Sequence, residues 1–232
     1  MRTIHLTPRL QMTAELAPEG ARLADVGTDH AYLPAALILE GKIPWAIAAD
    51  LRQGPLDRAR ATVRECGLTG RVAFRLCDGL TGIQPGEVDA VVIAGMGGET
   101  IAAILSAAPW VRTGDVPLIL QPMSSFPDLR GWLQGNGFAI QEERLAREGE
   151  MLYTALLVRA GEMEPLSPEE LWAGKNVNTP LRGAWLDRWL ARTRRALDGM
   201  AQGQNVSRRR QELEEVCQGL VEMKKEWEQW QQ

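Results

Sequence analysis

Short apolar runs bounded by turn residues alternate with longer stretches whose apolar positions fall three and four apart, and the alternation sets the fold class. RLADV (22–26), AIAAD (46–50), RVAFRL (71–76), VDAVVIAG (88–95) and PLILQ (117–121) read as strands. PAALILE from Pro34, PLDRARATVREC from Pro55, a run opening near GGETIAAILS and FPDLRGWLQG from Phe126 read as helices. Strand and helix in alternation imply βαβ units and a doubly wound parallel sheet, an α/β class, with five β/α pairs over this stretch.

FAIQEERLAR and MLYTALLVR then follow with only EGE between them, which predicts an antiparallel hairpin. A parallel sheet finished in that way resembles the Rossmann-like class I methyltransferase architecture more than a dinucleotide dehydrogenase, which completes a second βαβαβ half. The segment GEMEPLSPEELWAGKNVNTP carries three prolines and reads as a domain junction. The expected division is a cofactor-binding domain over residues 1–160 and a helical, coiled-coil-like hairpin over 161–232. Within the hairpin, Leu181, Trp185, Trp189 and Arg192 form one helical stripe, and Leu213, Val216, Leu220, Met223, Trp227 and Trp230 form another. Gly203 to Asn205 would supply the turn, Ser207 an N-cap, and the tryptophans the hairpin core.

Composition narrows the class. A hydrophobic fraction of 45% and a charged fraction of 24% are globular averages. No apolar run is long enough to span a bilayer and the N-terminus lacks a signal-peptide core, so a cytoplasmic protein is expected. Cys66, Cys77 and Cys217 show no CxxC spacing, and His5 and His30 are the two histidines, so neither a disulfide framework nor a metal site is expected. The net charge of −4 says little for nucleic-acid binding. Its distribution says more, because Arg182, Arg188, Arg192, Arg194, Arg195, Arg208, Arg209 and Arg210 face only Asp187 and Asp198 across that span.

Candidate chemistry gathers after the strands. ADVGTDH places Asp25, Gly27, Thr28, Asp29 and His30 in a loop between a strand and a helix. A dinucleotide loop would read GxGxxG, bringing bare backbone against a pyrophosphate, and here only Gly27 is present. Two carboxylates would repel pyrophosphate but suit a ligand bearing sulfonium and ammonium charges, which favours S-adenosylmethionine. Asp50, with Leu51 beside it, ends the second strand where a carboxylate would accept from ribose hydroxyls. Asp78 and Gly79 end the third, suited to an adenine amino group, and Ala94, Gly95, Met96 and Gly97 follow the fourth, where glycine lets backbone approach a reacting group. Each acid taken singly could equally be a helix cap or a solvated strand end.

Together, LTPRL, LADVGTDHAYLP, GKIPWAIAAD, QGPLDRA, VVIAGMGGETI, LILQPM and LRGWLQGNGF occur in an order similar to the bacterial tRNA (adenine-22-N1)-methyltransferase family. The resemblance spans most of the chain and implies methyl transfer from S-adenosylmethionine to N1 of adenine 22 in the D arm of tRNA. It implies cofactor contacts at Asp25, Gly27, Thr28, Asp29, His30, Asp50, Leu51, Asp78, Gly79, Ala94, Gly95 and Met96, and a reaction mouth at Gly95, Met96 and Gly97, with Gly97 on the substrate side. It identifies no general base. Asp29 is the preferred polar contact near the target adenine. Arg192, Arg195, Arg208, Arg209 and Arg210 would touch tRNA, or else form a solvated face paired with the acidic run QELEEV. Two other readings remain at this stage, a non-catalytic RNA-binding module on the same fold and a NAD-dependent oxidoreductase; the acidic loop opposes the first and the absent GxGxxG the second. A monomer is slightly preferred.

Overall fold

The computed structural model describes residues 3–175, 179–201 and 208–231. It divides into two compact units, Met1–Met163 and Glu164–Gln232.

In chain order the first unit contains α1 (Pro8–Glu15), β1 (Arg22–Val26), α2 (Tyr32–Leu39), β2 (Trp45–Asp50), α3 (Gln53–Glu65), β3 (Val72–Leu76) and β4 (Ala90–Gly97). It continues with α4 (Gly98–Ser106), α5 (Trp110–Thr113), β5 (Leu118–Ser124), α6 (Phe126–Gly135), β6 (Phe138–Glu148) and β7 (Met151–Ala160). The sheet runs β3-β2-β1-β4-β5-β7-β6. β1 to β5 are parallel, and β7 is antiparallel to both β5 and β6, so the sheet ends in the hairpin foreseen from the sequence.

Side chains of a strand alternate between faces, and here both faces are covered. Leu23, Ala48, Val92 and Ile119 pack with Leu37 of α2 in one layer. Val26, Ile47, Ile93 and Leu120 pack with Leu105 of α4 in the other. Continuous burial of Ala46 to Ala49 explains why these strands read as unbroken apolar runs.

Three local readings are corrected. Residues 77–89, between β3 and β4, form turns without a helix, so there are four β/α pairs rather than five. Gly79, Gly82, Pro85 and Gly86 break helical propagation there, while Leu80, Ile83 and Val88 anchor the crossing in the core. α2 starts at Tyr32, ahead of Pro34, because proline fits a first turn whose amides have no intrahelical partner. α1 was not anticipated; its signal is Thr7 followed by Pro8 at the first helical position.

The second unit holds α7 (Pro168–Ala173), α8 (Arg182–Ala201) and α9 (Arg208–Trp230). α7 lies inside the segment read as a junction and is fixed by a reciprocal capping box between Ser167 and Glu170. α8 and α9 are antiparallel: near the start of α8, Gly183 abuts Trp227, and Asp187 pairs with Lys224, both late in α9. Trp185 and Trp189 are fully buried and meet edge to face. Trp230 is 72% exposed, against its expected place in the core, since it falls at the last turn of α9. Arg182 is also removed from the basic surface: it is buried and donates to the carbonyls of Ala173 and Gly174 at 2.5 and 2.9 Å. The expected turn at Gly203 to Asn205 and the Ser207 cap lie outside the described residues.

Candidate active site

From β1 the chain winds outward through β2 to β3, then returns to β4 on the opposite side of β1. That reversal opens a crevice beyond the carboxyl ends of β1 and β4, where open α/β sheets bind ligands. Two cavities occupy it. The first, about 550 Å³, is lined by Gly27, Asp50, Leu51, Asp78, Gly79 and Met96 and by Ile104 of α4, among others. The second, about 560 Å³, shares Gly27, Asp50 and Met96 and adds Asp29, Arg58, Ala94 and Gly95. Both sizes suit a small organic ligand.

The acids of the first cavity keep acceptor capacity in hand. Asp50 Oδ1 accepts from the Arg52 amide at 2.8 Å, and its other oxygen has no partner among the described residues. The Asp78 carboxylate makes no hydrogen bond or ion pair among the described residues; only its main-chain carbonyl is engaged, by the Thr81 amide and hydroxyl at 3.1 and 2.8 Å. Gly79 has φ +54°, and a Cβ there would stand 2.9 Å from Ile104, so the wall beside Asp78 is bare by steric necessity. Leu51 is 63% exposed, an apolar side chain at the cavity edge with nothing over it. An adenosyl group fits this set: carboxylate for ribose, carboxylate for the exocyclic amine, apolar surface for the ring.

Gly27 has φ +78°, and a Cβ on it would meet the Met96 Cε at 2.1 Å. The glycine therefore admits the Met96 side chain between the two cavities. Asp25 lies behind this loop and is buried, outside both linings. Burial drives its carboxyl pKa up to about 6; the Thr28 hydroxyl, near it but without a hydrogen bond of ordinary geometry, partly opposes the rise, and the Asp50 charge adds to it. Burial likewise pushes the Cys77 thiol of the first cavity up from its ordinary value.

Asp29 accepts from two nitrogens of Arg58 on α3, with Nε at 3.0 Å, and lies 3.4 Å from His30 Nε2. His30 stacks on Tyr32 with ring centroids 4.9 Å apart, outside both cavity linings, as are Thr28 and Gly97. Arg58 offsets the charge of Asp29, so the anionic character of the crevice lining rests on Asp50 and Asp78 instead of on two loop carboxylates.

At the end of β4 the register with β5 shifts between Ala94 and Met96, and Gly95 takes φ +78°. The fully buried Gln121 of β5 holds this bulge: its Oε1 accepts from the Gly95 amide at 3.1 Å and from Arg9 Nη1 at 2.8 Å. The sequence reading missed Gln121, Arg9, Arg52 and Arg58. Arg9 was visible only as part of LTPRL, and Gln121 as the one polar residue ending PLILQ.

In the second unit, Arg208 and Arg210 pair with Glu212 and Glu214 one turn along α9, at 2.9 and 2.8 Å. Arg195 donates to the Ala191 carbonyl at 3.1 Å and Arg192 lies over the Trp189 ring, 5.4 Å from its centroid. Arg194 and Arg209 are exposed, with no hydrogen bond or ion pair among the described residues. Among the described residues there is also no group of three or more His, Cys, Asp or Glu placed to hold a metal, and no helix long and apolar enough to cross a membrane.

A family model described as "Methyltransferase domain" matches residues 6–156. The chain is 36% identical, over 97% of its length and 98% of the relative's, to the tRNA (adenine(22)-N(1))-methyltransferase of Bacillus subtilis (strain 168). It is similar to the crystal structure of the B. subtilis m1A22 tRNA methyltransferase TrmK, with TM-score 0.78, 32% identity and coverage of 97% and 98% of the two chains. It is also similar to M. capricolum TrmK in complex with the cofactor product S-adenosyl-homocysteine, with TM-score 0.78, 25% identity and coverage of 95% and 98%.

Proposed function

The chain belongs to the tRNA (adenine(22)-N(1))-methyltransferase family, and from that membership we propose that it transfers a methyl group from S-adenosylmethionine to N1 of adenine 22 in tRNA. The observation that carries the reading is the pair of adjoining cavities at the β1/β4 switch point, with acceptor oxygens left open at Asp50 and Asp78 among the described residues.

Asp50 holds the cofactor ribose through its open oxygen, and Asp78 accepts from the adenine amine while Leu51 and Ile104 flank the ring. Asp25 and Asp50 favour the cationic end of the ligand by charge. The cofactor, when bound, supplies an electrophilic methyl group. Gly95, Met96 and Gly97 leave room at the mouth for the target base, which must be unpaired or flipped to enter. N1 of adenine presents a lone pair without losing a proton, so alignment and exclusion of water dominate and no general base is required. Asp29, held by Arg58, orients the mouth and contacts the adenine; it is the one polar group assigned to the base. On the hairpin, the phosphate contacts are Arg192, Arg194, Arg195 and Arg209, while Arg208 and Arg210 keep their glutamate partners.

Labelled S-adenosylmethionine incubated with unmodified tRNA tests this directly. The RNA should become labelled, and calorimetry should detect S-adenosylmethionine and no NAD. A protein that binds tRNA and leaves it unlabelled is the non-catalytic module instead.

A further inference from the structure

We propose that Arg9 is the anion hook of the reaction mouth and binds a backbone phosphate of the nucleotide being methylated. The proposal rests on the methyl-transfer reading above for the identity of the RNA, and on geometry for the site.

Arg9 sits in the first turn of α1, and its guanidinium reaches the bulge of β4: a Cβ on Gly95 would be 3.6 Å from Arg9 Nη1. Gln121 fixes it there through the 2.8 Å bond to Nη1, and the same amide oxygen holds the Gly95 N–H. The guanidinium also lies over Tyr153, 5.7 Å from the ring centroid. These contacts orient the group without neutralising it. Glu148 is the nearest carboxylate in the hydrogen-bond network, and it accepts from the Arg9 main-chain amide at 3.3 Å, leaving the side chain with no ion pair among the described residues.

An oriented, uncompensated guanidinium is suited to bidentate binding of a planar or tetrahedral oxyanion. Two anions could meet it, the carboxylate of the cofactor and a phosphate of the RNA. Arg9 lines neither cavity and approaches Gly95 from α1, which favours the RNA phosphate. A flipped base brings its phosphodiester to the rim of the pocket, and a cation fixed beside Gly95 would hold the nucleotide with N1 facing inward.

The test uses the full chain, an unmodified tRNA transcript, and the variants Arg9→Gln and Gln121→Glu. Arg9→Gln removes the charge; Gln121→Glu leaves Arg9 in place and gives it a carboxylate partner. Each is expected to raise KM for tRNA about tenfold or more, with kcat less affected, and to reduce the slope of log affinity against log salt by about 0.7 to 0.9. For Arg9→Gln, S-adenosylmethionine affinity and thermal midpoint should stay at the parent values; Gln121→Glu, whose buried carboxylate would face the Pro122 carbonyl to which the amide donates at 2.9 Å, is read on the salt slope of the folded protein. An unchanged salt slope in either folded variant overturns the proposal. So does a loss confined to S-adenosylmethionine affinity, which would assign Arg9 to the cofactor carboxylate. Binding measurements read the slope even if no methyl is transferred, so failure of the methyl-transfer reading is distinguishable from failure of the hook.

Discussion

The carboxyl edge of the sheet and the C-terminal hairpin both carry dense charge in the sequence, and the structure closes more of that charge in the hairpin than at the edge. At the edge, Asp50 keeps an oxygen open and Asp78 has no side-chain partner among the described residues, and Asp25 is buried with its carboxyl raised to about 6. In the hairpin, Arg208 and Arg210 each meet a glutamate one turn away, Asp187 meets Lys224, and Arg182 is spent on main-chain carbonyls. Charge left open at a concave site is charge reserved for a ligand, whereas charge closed within a helix mainly solvates it.

The largest effect should come from a closed pair that is also buried. Arg130 on α6 meets Glu143 on β6 through two bonds, at 3.3 and 2.7 Å, with both side chains nearly inaccessible. Arg130→Met leaves Glu143 buried without its ion-pair partner, so denaturant unfolding of the first unit should lose about 3 to 5 kcal/mol. A loss below 1 kcal/mol would remove burial as the variable that matters.

Next is Asp50→Ala, which removes an open carboxylate without breaking an ion pair. S-adenosylmethionine should bind about ten- to a hundredfold more weakly by calorimetry, the cost of a lost charge-assisted hydrogen bond, while the thermal midpoint barely moves. Equal affinity would mean that the open oxygen is not used.

A smaller and graded effect concerns Asp25. A cationic ligand favours its ionised form, whose population falls as pH drops through about 6. Affinity for S-adenosylmethionine should thus be constant well above that value, decline as pH falls through it, and level off at the weaker affinity of the protonated form. Asp25→Asn should flatten the profile; a variant that retains the same acid limb would transfer the titration to another group.

The smallest effect belongs to the hairpin. Arg208→Ala should change stability by at most about 0.5 kcal/mol and tRNA affinity by less than twofold, since an exposed i,i+4 pair is worth little. Joint replacement of Arg194 and Arg209, which lack such partners, should weaken tRNA binding more.

Much of this contrast was legible in the chain. The strand runs, the closing hairpin, the acids at strand ends and the two helical stripes follow from local periodicity and turn chemistry. Contacts between distant segments were not. Nothing around Asp29 announces that Arg58, on the next helix, will neutralise it, and nothing in PLILQ announces that its last residue bridges Gly95 to Arg9. Those pairings depend on strand order, which brings β5 beside β4 and α3 beside the β1 loop. Gly27 was read as part of the loop after the first strand, but its neighbour across the crevice, Met96, is visible only once the fold is formed. α7 hid in a proline-rich segment because six residues carry too little periodicity, though the Ser167–Glu170 capping box was there to be read.

The central claim is methylation of one ring nitrogen at one position. Unmodified tRNA should be incubated with the protein and S-adenosylmethionine, and the modified nucleotide mapped by digestion and mass spectrometry. 1-Methyladenosine at position 22, absent when that adenine is replaced, is the expected result; label at another position, or none in any tRNA carrying A22, would contradict it.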